Sequence, residues 1–195
     1  HCLVVFIRFK KNMSSKKTLV ISAICFPPCL IGPAILMGNL FRHFPKGSYH
    51  VLMGLCNWLP IDDGSKLQAP YTYTRYPNLN YRGNLFRLIY SILHDLFAIL
   101  EITIRGLIII KKENINHIFA IADHYVEIAA LLMHWLTGKK IVVWFPDLYY
   151  HNDNIFISRE EQFFNRFLEP IILKSANNAL VASEETQKFY KGKYG

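Results

Sequence analysis

Residues 17–41 read KTLVISAICFPPCLIGPAILMGNLF, and this stretch decides the fold class. Thr18 to Ile24 is a short, nearly unbroken apolar run that stops at Pro27-Pro28. Such a run predicts a parallel strand buried on both faces. Gly32-Pro33 then opens a helix, with proline in the first turn where its missing N–H does no harm, and apolar residues continue through Phe41.

The same alternation continues along the chain. Tyr49 to Leu55 reads as a second strand, and residues 56–81 as a long polar and aromatic connection holding one more candidate strand, Tyr71 to Tyr76. A connection of that length in a compact domain is usually functional or mobile. A long helix runs from a cap at Asn84 to about Ile110. On it Arg87, His94, Glu101 and Arg105 mark a single polar stripe, and nearly everything else is apolar, so most of its circumference is expected to be covered. The occupants open for that cover are the long connection, a partner domain, a second subunit or a bilayer surface. His117 to Ala122 is the next strand, and Tyr125 to Leu136 a helix ended by Gly138. Lys140 to Phe145 is a strand, Glu160 to Lys174 a helix, and Ala179 to Ala182 a strand. Ser183 caps a last helix. Strands and helices in this order predict a doubly wound, mainly parallel α/β sheet with helices on both faces, a Rossmann-like domain. Residues 1–16 read as a basic tail and 17–195 as the domain, with Met13 a candidate natural start.

Composition narrows the function. Of 195 residues, 52% are hydrophobic and 18% charged. With a mean hydropathy of +0.17, the chain suits a globular domain with a large core and excludes a disordered one. No apolar run approaches the roughly 20 residues of a membrane span. Cys25 and Cys29 bracket Phe-Pro-Pro without a second pair or a histidine pair, so no metal site is expected, and the four cysteines read as free thiols in a reducing cytoplasm. The net charge of +8 is partly concentrated in Arg8, Lys10, Lys11, Lys16 and Lys17 and otherwise scattered. There is no basic stripe interleaved with aromatics and no recognition helix, so nucleic acid is not an expected partner. An anionic membrane surface, here the inner face of the cell membrane, or an anionic substrate explains the surplus at least as well.

In a doubly wound sheet the chemistry gathers where strands give way to helices, at the carboxyl edge. Three stretches fall there. Gly32, with Pro33, opens a helix whose backbone N–H groups and dipole suit a phosphate or a sugar, although an ordinary tight turn accounts for it as well. Asp123 and His124 follow the fourth strand. The carboxylate orients the imidazole, or accepts from sugar hydroxyls, or else simply caps the helix at Tyr125. Asp147 follows the fifth strand, with Tyr149 behind it. A carboxylate beside flat rings suits sugar recognition, and Asp147 equally well just ends the strand. A dinucleotide fingerprint, a Walker loop and a nucleophile elbow are all absent.

These segments resemble a known family. LVISAICFPPCLIGPAILMGNL (residues 19–40), HIFAIADHYVEIAALLMHWLTGKKIVVWFPDLYY (117–150) and FLEPIILKSANNALVASEETQKFYKGKYG (167–195) are similar, in order and spacing, to the amino-terminal half of family-4 type glycosyltransferases of the GT-B fold. Glu169, Ala176, Ser183, Glu184 and Tyr194-Gly195 stand at that family's places before its interdomain linker. The resemblance implies retaining, metal-independent transfer from a nucleotide-sugar to a glycan or lipid-linked acceptor, with the nucleotide-sugar as substrate and no cofactor. Gly32, Pro33, Asp147 and Tyr149 would bind donor phosphate or acceptor, and Asp123 and His124 would face the reacting sugar. The donor-binding carboxy-terminal domain would lie outside this chain, which alone is expected to be inactive. Two departures stand out: Gly32-Pro33 replaces a pair of glycines, and Asn177-Asn178 stands where an aspartate is common. The alternatives are a non-catalytic α/β binding module and half of a GT-B-fold nucleotide-sugar epimerase.

Overall fold

The computed structural model describes residues 17–55, 66–75, 84–122, 125–146 and 159–194. The elements are β1 (Thr18–Ser22), α1 (Gly32–Phe41), β2 (Tyr49–Leu55), β3 (Tyr71–Arg75), α2 (Asn84–Glu113), β4 (His117–Ile121), α3 (Val126–Thr137), β5 (Lys140–Phe145), α4 (Arg159–Ser175), β6 (Asn178–Val181) and α5 (Glu184–Tyr194). The strands form one sheet in the order β3-β2-β1-β4-β5-β6, every described pair parallel. The doubly wound α/β architecture expected from the sequence is therefore present, and Tyr71–Arg75 is a true edge strand.

Why the strands are buried follows from how the helices cover them. On one face, Phe41 of α1 packs edge-on against Tyr49 of β2 and Phe119 of β4. On the other, Gly106 of α2 lies against Leu19 of β1 and Met133 of α3. With helices on both sides, Leu19, Val20, Ile21, Ile118 and Val143 have no exposed surface, and the unbroken apolar runs are explained. His50, also on the α2 face, ties that layer to the sheet. Its Nδ1 donates to Glu113 Oε1 at 2.6 Å, and its Nε2 lies 2.8 Å from Thr72 Oγ1.

The local signals hold with small shifts. Gly138 ends α3 with a φ of 65°, the left-handed conformation that glycine adopts without strain. Ser183 Oγ accepts from the Thr186 N–H at 3.1 Å, an N-cap on α5. β1 ends at Ser22, two residues before the expected Ile24, because the chain bends from Ala23 onward to bury Cys25, Phe26 and Cys29. Cys25 and Cys29 are both buried, while Cys2 and Cys56 lie outside the described residues.

The long helix departs from expectation. Its polar flank is narrow, with Arg105 Nε donating to Glu101 Oε1 at 2.8 Å. Its outward side is not covered, however: Leu93, Leu96, Phe97, Leu100, Ile104 and Ile108 are all exposed. A sequence shows that a side chain is apolar, but its cover depends on what packs there, and the sheet and α3 reach only the inner arc.

Candidate functional site at the carboxyl edge

The strand order reverses between β1 and β4: from β1 the chain moves outward to β2 and β3, then returns to β4 and moves the other way. At such a switch point the loops leaving the two strands turn to opposite faces and open a crevice, where ligands of doubly wound sheets bind. The loop after β1, residues 23–31, forms one wall. It is anchored by Phe26, which packs on Phe41 with ring centroids 5.2 Å apart, and by the Cys29 N–H, which donates to Phe26 O at 3.2 Å. Gly38 lets Pro27 settle onto α1, since a Cβ there would lie 2.9 Å from Pro27 Cγ. Ala122, at the end of β4, forms part of the other wall and is anchored by its N–H to Trp144 O at 2.8 Å.

Gly32 and Pro33 lie at the start of α1, beside this crevice. The helix has no side-chain cap at Ile31. Its first turn leaves backbone N–H groups without helical partners, but Pro33 has none to offer and Ala34 is buried, whereas Gly32 is an exposed residue. The cradle is thus thinner than paired glycines would make it. A Cβ on Gly32 would meet nothing within 4 Å, so packing does not require glycine there. Asp123, His124, Asp147 and Tyr149 lie outside the described residues.

The structure adds residues that the motif reading missed. Glu127, in the first turn of α3, is fully buried. Glu169, also buried, accepts from Tyr190 Oη at 2.8 Å on Oε1 and from Tyr194 Oη on Oε2, with Lys193 Nζ 3.9 Å away. Tyr190 in turn packs on Phe145 at the end of β5. This cluster joins α4, α5 and β5 beside the crevice. Glu169 was visible in the sequence as a family position, but its tyrosine partners, 21 and 25 residues on, were not. Asn177 also gains a role. Its side-chain oxygen accepts from the Ile141 N–H at 3.0 Å while its own N–H donates to Ile141 O at 2.9 Å, so it extends the β5 ladder. An aspartate would offer the same acceptor, and the departure at this position leaves the ladder intact.

Burial above all, and then the Glu169 carboxylate, push the Tyr190 hydroxyl far above its ordinary 10.0. Tyr194 is raised as well, by burial and by the same carboxylate. A tyrosine held protonated in the folded state contributes its full stability below the unfolded value and loses it as pH rises beyond. Stability should therefore fall above pH 10, by up to about 1.4 kcal/mol per pH unit for the buried Tyr190 and by less for Tyr194, which is nearer solvent. Urea titrations at stepped alkaline pH check this, and Tyr190→Phe should flatten the slope by about one tyrosine's share.

At the opposite, amino edge a cavity of about 410 Å³ is lined by Phe41, Arg42, Phe44, Lys46, Tyr49, Lys66, Leu67 and Gln68. Burial raises the Tyr49 hydroxyl to about 12. The cavity is basic, but it lies at the far end of the strands from the switch point and is not part of the candidate site. Among the described residues no helix is long and apolar enough to cross a membrane. No family model matches the chain, and no curated protein matches it.

Proposed function

We propose that the chain is the acceptor-side half of a retaining, metal-independent glycosyltransferase that moves a sugar from a nucleotide-sugar to a glycan or lipid-linked acceptor. It works at the inner face of the cell membrane and closes against its own donor-binding domain. The observation that supports this reading is the β1/β4 switch point, with the exposed Gly32 at the start of the helix beside it. A departing diphosphate needs preorganised donors from both walls of a closed cleft. This domain would supply the Gly32 wall. Asp123 and His124 would serve the reacting sugar, and Asp147 and Tyr149 the acceptor or the donor phosphates.

The test is Gly32→Val in the two-domain protein, read as transfer rate from labelled nucleotide-sugars beside the melting temperature. A Cβ at this position meets no protein atom, so Tm should move by no more than a few degrees. The branched side chain would instead block backbone approach to the ligand, and the rate should fall about 100-fold or more. Rate and stability falling in proportion would reduce Gly32 to a turn residue. Donor turnover without acceptor would favour the epimerase, and binding without turnover the non-catalytic module.

A further inference from the structure

The sequence scatters lysines along the chain, and the topology gathers them. In a parallel sheet each connecting helix returns the chain from the carboxyl to the amino edge, so α2, α3 and α4 all end there. Lys111 and Lys112 close α2, Lys174 closes α4, and Lys139 and Lys140 lead from α3 into β5. Lys17 enters β1 at the same edge. Glu113, which follows Lys111 and Lys112 at the end of α2, is engaged by His50 and lies 4.0 Å from Lys17.

Above this rim lies the uncovered apolar face. On α2, Phe97, Leu100, Ile104 and Ile108 are between 55% and 60% exposed. They recur every three or four residues and so form one outward stripe. Gly106 and Met133 bring α2 and α3 side by side. Near the end of α3, Trp135 and Leu136 are exposed as well, at 58% and 67%.

We propose that this face is the surface by which the protein lies on an anionic lipid bilayer, with α2 and the end of α3 seated at the boundary between headgroups and acyl chains and the amino-edge lysines among the phosphates. An interfacial helix has this design: a broad apolar face, an aromatic at its margin and cations beside it. The sign of the charge decides among occupants. A second copy would bring the same basic rim against itself, whereas an anionic surface complements it. The inference builds on the proposed membrane location but not on the transfer chemistry, since vesicle binding needs neither donor nor acceptor.

The experiment is co-sedimentation with phosphatidylcholine vesicles, with and without phosphatidylglycerol, at low and moderate salt. Binding is expected only with phosphatidylglycerol, and it should weaken as salt rises. Two pairs of exposed substitutions, Phe97→Ser with Ile104→Ser and Lys111→Glu with Lys112→Glu, should each weaken it by about tenfold or more while leaving the fold intact by circular dichroism. Absence of binding at low salt overturns the proposal. Binding that ignores Phe97→Ser with Ile104→Ser overturns the apolar face. A dimer lost with that same pair, in a protein that does not bind vesicles, assigns the face to a second copy.

Discussion

Gly106→Leu is expected to destabilise the protein by at least about 3 kcal/mol, enough to part α2 from α3. Glycine inside a helix costs about 1 kcal/mol relative to alanine, so its presence in the middle of a long helix needs a reason. The reason is close approach. A Cβ at this position would lie 2.1 Å from Met133 Sδ and 3.0 Å from its Cε, with Leu19 Cδ2 at 3.6 Å. Met133 is fully buried, so its flexible end can yield to a small group but not to a large one without repacking its neighbours. Gly106→Ala should change stability by no more than about 1 kcal/mol, because the shift of the Met133 end offsets the gain in helix propensity. Adding Met133→Ala opens room, so the double variant should be more stable than the sum of the two singles predicts. Chemical denaturation of the four proteins in that cycle measures the coupling. A Gly106→Leu variant as stable as the parent would mean that the two helices do not approach as described.

The second large effect is at Glu169. This carboxylate, 1% exposed, receives both Tyr190 and Tyr194 hydroxyls. Glu169→Leu removes the acceptor of two donors that pack in a largely apolar setting, and each lost partner leaves a desolvation cost of about 1–3 kcal/mol. A loss of about 3 kcal/mol is expected, or roughly 6–12 °C in Tm for a domain of this size. Glu169→Gln keeps one acceptor and should cost less than half as much. Because the cluster holds α5 against the end of β5, proteolysis should cut near Phe189 and Tyr190 first in Glu169→Leu. Equal melting of the leucine and glutamine variants would show that the buried volume of the side chain matters here and the hydrogen bonds do not.

Much of the fold was legible because its signals are local. A strand buried on both faces announces itself as a short apolar run, as Thr18 to Ile24 does, and proline, glycine and serine punctuate the chain at Pro33, Gly138 and Ser183 for reasons of backbone geometry alone. Alternating elements of these lengths leave few architectures other than a parallel sheet with crossover helices. Even the edge strand β3 was visible in Tyr71 to Tyr76. The candidate site was less legible. Gly32 could be placed at a helix start from sequence, but not its exposure beside a buried Ala34.

The sequence by itself determined the elements, their order and the class of sheet, since each rests on torsional preferences and periodicities within a dozen residues. Only the tertiary structure decided which distant groups meet. It set the reversal between β1 and β4 that makes a crevice, the contact of Gly106 with Met133, and the two tyrosines on Glu169. It also gathered lysines from Lys17 to Lys174 along one edge and turned the apolar stripe of α2 outward. These are consequences of chain return: every crossover carries a helix end back to the same edge, and covering one arc of a helix leaves the other to whatever lies outside the domain.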